Sequence, residues 1–159
     1  MTHGYASHSV NSHLDDRLAG HLLVGAQFAL LAWLVWPLTP QAWSPLALAF
    51  AGGAVAVGFW TLAWNRPGNF NIHPEPRARG RLVTGGPYGH MRHPMYTAVL
   101  LFAMSEAVAY LDEWKLLATV LLAVVLLGKA RLEERHLRRR YPEYDAYAAR
   151  VRRFIPGVF

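Results

Sequence analysis

The chain has 159 residues, enough for one domain; 53% are hydrophobic and only 16% charged, against roughly 25% charged in an average soluble domain. Its formal net charge is +6 and it has no cysteine, which excludes disulfides, thiolate metal sites and a cysteine nucleophile. Long stretches carry no charge at all while two carry most of it, a distribution that excludes an ordinary soluble surface and asks for lipid.

Residues 1–17 are polar, with His3, His8 and His13 spaced by five. That spacing matches neither a helix face nor a strand face, so it predicts a flexible tail rather than a metal site. Residues 18–38 have no formal charge, their strongly polar members being His21 and Gln27, and residues 43–64 have none either. Each run exceeds or meets the roughly 20 apolar residues of a spanning helix. Acidic Asp15 and Asp16 before the first run, and Trp36-Pro37 after it, do not fit a cleaved signal peptide. The two predicted helices join through Pro37 and Pro40, and Gly52, Gly53 and Gly58 in the second allow close packing in lipid.

Residues 65–94 are predicted as a loop rich in Gly and Pro, carrying five arginines (Arg66, Arg77, Arg79, Arg81 and Arg92) against Glu75. A loop this long inside a compact domain is usually functional or disordered. Its end runs straight into a third apolar run, 95–111, with Pro94 placed at the first helical turn, where its missing N–H costs nothing. Glu106 lies inside this run, read equally as an intramembrane functional group or as a side chain reaching the far surface. Asp112-Glu113 makes a tight turn into the fourth run, 116–128, which is flanked by Lys115 and Lys129. That run spans only if the lysines snorkel or the helix continues into Arg131 and Leu132. Residues 129–159 then hold nine basic residues against Glu133, Glu134, Glu143 and Asp145 and predict a C-terminal interfacial helix and tail.

The two basic segments belong on one face, the cytoplasmic one by the positive-inside rule, together with the N-terminus if the spans are even in number. Anionic lipid headgroups account for the basic excess without nucleic acid. The expected architecture is thus all-α and polytopic: a tail over 1–17, then a membrane domain over 18–159 with about four transmembrane helices in a bacterial inner membrane. Nothing in the sequence sets the oligomeric state.

The predicted inner face collects Tyr88, Arg92, His93, Tyr96, Arg131, Glu133, Glu134 and Tyr144. The pattern Gly86-Pro-Tyr88, Arg92-His-Pro-Met-Tyr96, Glu133-Glu134 and Tyr144…Val151-Arg…Pro156 resembles the isoprenylcysteine carboxyl methyltransferase family, with the related phospholipid N-methyltransferases, over roughly 66–156. The resemblance implies an all-helical membrane enzyme that binds S-adenosylmethionine between the His-Pro loop, the Glu-Glu helix and the tail. It implies cofactor contacts from Tyr88, Arg92, His93, Pro94, Tyr96, Glu133, Glu134 and Tyr144, no metal, and a lipophilic or membrane-associated acceptor. Elementary chemistry agrees with it. A carboxylate can accept both ribose hydroxyls, and Glu134 is favoured over Glu133 for this. Tyr and His rings can flank adenine, and Arg can pair with the cofactor's carboxylate.

An anionic acceptor needs orientation, for which Arg131 is the first candidate and Lys129 the alternative in register. An amine acceptor would need a base, His93 or a Glu. The acceptor atom, O, S or N, stays open. Two other classes compete: a non-catalytic membrane scaffold or lipid-binding protein, and a nicotinamide-dependent membrane reductase, whose larger helical body this chain has little room for.

Overall fold

The computed structural model describes residues 4–36, 43–65 and 82–159, with side chains from residue 15 onward. Five α-helices follow in order: α1 Gly4–Val35, α2 Pro45–Trp64, α3 Pro94–Tyr110, α4 Glu113–Arg140 and α5 Tyr144–Arg150, with a short 3₁₀ turn at Gly86–Gly89 before α3. Among the described residues there is no strand, only an isolated parallel bridge between Met91 and Arg152.

Local chemistry sets the boundaries. The Ser44 hydroxyl accepts the Ala47 N–H at 3.2 Å and Pro45 opens α2, a helix start in which one free N–H is satisfied and another is absent. Pro94 opens α3 as expected. Leu111, at φ 48°, turns the chain left-handed, and the Asp112 carboxylate caps α4 by accepting from Trp114 N at 2.7 Å and Lys115 N at 3.4 Å. At its other end α4 finishes with Arg138, Arg139 and Arg140, whose charges suit a helix C-terminus, and Pro142 follows closely.

The helices pack in the lateral order α2, α3, α4, α1. Consecutive α1 and α2 are therefore not the main partners; each packs on a later helix. Their predicted connection at 37–40 lies outside the described residues. α2 and α3 meet through small residues: a Cβ on Gly53 would stand 3.6 Å from Leu101 and one on Gly58 3.7 Å from Ala98, whereas Gly52 faces open space. The buried cluster is small, built on Leu34, Ala103, Ala118, Leu122 and Leu126.

The outer faces are apolar. Leu22, Val55, Phe59 and Val124 are each more than 60% exposed, far more apolar surface than a soluble monomer shows. Residues 15–35 of α1 and all of α2 are long and apolar enough to cross a membrane, and little of either is buried within the protein. α3 is apolar but has 17 residues, roughly 25 Å against a hydrocarbon core of roughly 30 Å. The all-helical membrane class stands, and among the described residues two helices, rather than four, meet the length and composition of a span.

Three details stand out. The chain is helical from Gly4, and Asp16 ties this end to α4 through Arg135 (3.4 Å), Arg139 (3.7 Å) and His136 (3.7 Å). The side chains of His3, His8 and His13 lie outside the described residues. The fourth run continues as helix through Arg131 and Leu132 to Arg140, the second of the two ways it could lengthen, and its flanking lysines do not snorkel. Lys115 turns inward and donates to the carbonyls of Leu34 and Trp36 at the end of α1, and Lys129 donates to Gln27 Oε1 at 2.6 Å. In lipid, helices gain no hydrophobic drive toward one another, so such polar links matter, each contributing roughly 0.6–2 kcal/mol. Glu106, finally, is buried within α3 rather than presented at the surface.

Candidate active site

The site forms where α3 begins, α4 leaves the apolar belt and the C-terminal segment returns. Residues 152–153 run beside 91–93: the Arg92 N–H donates to Arg152 O at 2.7 Å, the His93 N–H to Arg153 O at 3.0 Å, and the Thr97 hydroxyl to Phe154 O at 2.9 Å. The 3₁₀ turn is set by Gly86, at φ +57° and packed so tightly on Trp64 that a Cβ would collide with the indole. Only glycine satisfies both demands.

Glu134 is the centre of the site. Its carboxylate is almost wholly buried and accepts from Arg92 Nε at 3.1 Å, Arg153 Nε and Nη2 at 3.0 Å each, and His93 Nε2 at 3.2 Å, with Arg138 Nη2 at 3.7 Å. Arg92 also donates to the carbonyls of Ala148, at 2.8 Å, and Val151, at 2.5 Å, fastening the end of α5. Burial alone would raise the Glu134 carboxyl, but hydrogen bonds from His93 and Arg153 and the charge of Arg92 outweigh it and hold its pKa down to about 2.

Glu133 is the more open carboxylate, its side chain 21% exposed against 1% for Glu134. It accepts the Tyr96 hydroxyl at 2.5 Å and faces His93 Nδ1 at 3.3 Å. His93 thus sits between two carboxylates. Burial opposes its protonation, but the hydrogen bonds and charges of Glu133 and Glu134 prevail and its pKa is raised. Its ring stacks on Tyr96 at 5.3 Å and 8°, with Phe154 tilted against both.

Of the residues singled out from sequence, the fold gathers Tyr88, Arg92, His93, Pro94, Tyr96, Glu133, Glu134 and Tyr144 at this end. Tyr147 donates to Tyr88 O at 2.6 Å, and burial with the Glu133 charge pushes the Tyr88 phenol up to about 12. Arg131 is exposed and makes no contact with the cluster among the described residues; Lys129, buried, stands 5.2 Å from the Tyr96 ring. Glu134, favoured over Glu133 for the ribose hydroxyls, has cations on both its oxygens.

Sequence reasoning missed Arg153, one of several tail arginines with nothing to distinguish it, and Asn65. Asn65 donates to the Tyr88 hydroxyl at 3.4 Å, while its Oδ1 and the Tyr144 hydroxyl are buried without a hydrogen-bond partner among the described residues. Buried orphans of this kind are rare. They leave a donor and an acceptor free for a polar ligand. Among the described residues no His, Asp and Glu side chains are grouped to hold a metal ion.

The family model described as phospholipid methyltransferase matches residues 42–144, well over half the chain, and stands in the same family group as the isoprenylcysteine carboxyl methyltransferases. Two curated relatives are similar over 94 residues: the nickel-cobalt-cadmium resistance protein NccN of Alcaligenes xylosoxydans xylosoxydans at 39% identity, and the cobalt-zinc-cadmium resistance protein CzcN of Cupriavidus metallidurans at 38%. Each match covers 55% of this chain and 41% of the relative, so the chain spans less than half the length of these proteins. No solved structure matches the chain.

Proposed function

Because this chain belongs to the phospholipid methyltransferase family, we propose that it binds S-adenosylmethionine among Tyr88, Arg92, His93, Tyr96, Glu133 and Tyr144 and methylates a lipophilic, membrane-associated acceptor. The carrying observation is the convergence of His93 and Glu134, 41 residues apart in sequence, with Tyr96 and Glu133 at the end of the bundle where the apolar belt gives way to charge. The donor set fits the cofactor. An open carboxylate suits a ribose diol, stacked rings suit a purine, and the unpartnered Tyr144 hydroxyl and Asn65 Oδ1 suit its polar ends.

When bound, the cofactor supplies an electrophilic methyl group. The protein's part is placement, and holding two reactants in line supplies roughly 7–11 kcal/mol of the barrier. Glu133, not Glu134, is the carboxylate that meets the ribose. Glu134 is a positioning residue: it holds Arg92 and Arg153, and with them the tail that closes the cradle. His93, with each ring nitrogen facing a carboxylate, donates from both and acts as a fixed cation rather than as a base. Pro94 starts α3 at the angle that presents His93 and Tyr96 together.

In the membrane, we read α3 and α4 as completing four spans, the first of them short enough to thin the bilayer locally. The arginines of 66–92 and 131–153 then mark the cytoplasmic side of a bacterial inner membrane. α1 and α4 run antiparallel, as Asp16 meets Arg135 at one end and Lys115 meets Leu34 at the other, which agrees with both termini on that side. The resistance names of the relatives leave the acceptor open.

Calorimetry with S-adenosylhomocysteine on the full chain in detergent tests the reading. Wild type is expected to bind at one site and Glu133→Gln to bind at least tenfold more weakly; absence of heat from the wild type would favour the non-catalytic scaffold.

A further inference from the structure

Asn65 stands outside the Gly-Pro-Tyr, Arg-His-Pro and Glu-Glu patterns, and its side chain is only half used. The residue closes α2, its backbone N–H returning to Thr61 O at 3.0 Å. Its Nδ2 donates to the Tyr88 hydroxyl at 3.4 Å, and its Oδ1 is enclosed without a partner among the described residues. Tyr88 is half used in the complementary sense. Its hydroxyl accepts from Asn65, while its own proton finds no acceptor among the described residues. Burial, with the Glu133 charge, keeps that proton on the phenol. One spare acceptor and one spare donor therefore sit on adjacent groups. Both are held in place by the surrounding chain. The Tyr88 N–H donates to Gly85 O at 3.2 Å, the Tyr147 hydroxyl donates to Tyr88 O at 2.6 Å, and Trp64 packs against Gly85 and Gly86. An enclosed carbonyl left unsatisfied is costly, and a ligand donor relieves that cost. The other orphan of the site, the Tyr144 hydroxyl, is less selective, because a hydroxyl can donate or accept.

Resting on the methyltransferase reading above, we propose that Asn65 and Tyr88 read the base of the cofactor: Asn65 Oδ1 accepts from the amino group of adenine, and the Tyr88 hydroxyl donates to the ring nitrogen beside it. The edge of adenine presents a donor next to an acceptor, which is the complement of this pair. A purine with an oxo group in place of the amino group presents the two in reverse. Its carbonyl then meets Asn65 Oδ1, acceptor against acceptor. The position agrees with the ribose assignment, since the Tyr88 phenol lies near enough to Glu133 to feel its charge. Asn65 and Tyr88 are thus specificity-determining residues that select the nucleoside. Glu133 meets a sugar common to all nucleosides and does not discriminate among bases. A site built to hydrogen-bond its ligand rejects an analogue that cannot return those bonds far more strongly than an apolar pocket does.

The test measures by calorimetry the binding of S-adenosylhomocysteine and S-inosylhomocysteine, which differ only in the amino or oxo group of the base, to the full chain in detergent. Wild type is expected to prefer the adenosyl compound by at least tenfold. Asn65→Leu should lower its affinity to that of the inosyl compound, and should bind the inosyl compound as wild type does, which shows an intact fold. Tyr88→Phe should reduce the preference without abolishing it. Glu133→Gln should weaken both compounds by the same factor and so keep their ratio, a result that separates reading the base from holding the sugar. Equal affinity of the wild type for the two compounds, or preference for the inosyl one, would overturn the assignment. So would an Asn65→Leu variant that keeps the wild-type ratio, or one that weakens both compounds alike, which would mark Asn65 as a brace for the turn. Failure of the wild type to bind either compound would overturn the methyltransferase reading itself, and the base-reading role with it.

Discussion

The two ends of the bundle are built on opposite plans. At one, α3 passes to α4 through Leu111 and Asp112 alone, and the local cap supplies its own hydrogen bonds. At the other, segments 91–97, 133–138 and 148–154 meet through long-range contacts centred on one carboxylate, Glu134, with Arg92 also donating to the carbonyls of Ala148 and Val151. A local turn can lose a residue's worth of interaction without consequence elsewhere. A shared carboxylate cannot, since every partner it releases is itself a buried or half-buried charge. The contrast separates a tolerant end from one on which the ligand binding we propose depends.

Glu134→Ala should cut deepest. It strands Arg92 and His93, and breaking a buried ion pair from one side costs about 3–5 kcal/mol. Loss of S-adenosylhomocysteine binding together with faster proteolysis beyond residue 141 would show that the tail depends on it. Glu133→Gln should differ sharply: one charge-assisted hydrogen bond is worth about 1.5–3 kcal/mol, so binding weakens some ten- to hundredfold while the thermal midpoint in detergent barely moves. If the two variants behave alike, the division between a positioning and a ligand-facing glutamate is wrong.

Gly86→Ala at the same end should cost about 1–3 kcal/mol by forcing a methyl group into Trp64, with denaturant melting as the measure. A pH series then probes the charges. Glu134, lowered to about 2 from 4.5, stabilises the fold above pH 4.5 and loses that contribution as pH falls toward 2. His93, raised above 6.5, contributes fully below 6.5 and loses the contribution as pH rises through its folded value. Thermal stability should therefore plateau between about pH 4.5 and 6.5 and decline on the alkaline side, and His93→Gln should flatten that decline. The smallest effect belongs to the tolerant end. Leu111→Gly relieves a left-handed leucine and should stabilise by about 0.5–1 kcal/mol without altering ligand binding.

Much of this was legible beforehand. Uncharged runs mark α1 and α2, Pro94 and Asp112 mark helix starts, and the Arg-His-Pro and Glu-Glu patterns point to side chains that the fold does bring together. What could not be read is which way a charge faces. Lys115 and Lys129 flank an apolar run as snorkelling residues do, and only the placement of Gln27 and the Leu34 carbonyl on a neighbouring helix turns them inward. Arg153 was hidden among equivalent arginines for the same reason: its partner lies 19 residues back, and no periodicity encodes that pairing. Nor does any local pattern show that Asp16 meets its arginines more than a hundred residues later.

The reliance of Glu134 on Arg153 also imposes an order on assembly. A growing chain can thread its helices into the bilayer one after another, each satisfying its own backbone. Through all of that Glu134 waits beside Arg92 and His93 for a guanidinium that the ribosome has yet to make. A nascent chain stopped before residue 152 should insert normally and yet hold no nucleotide.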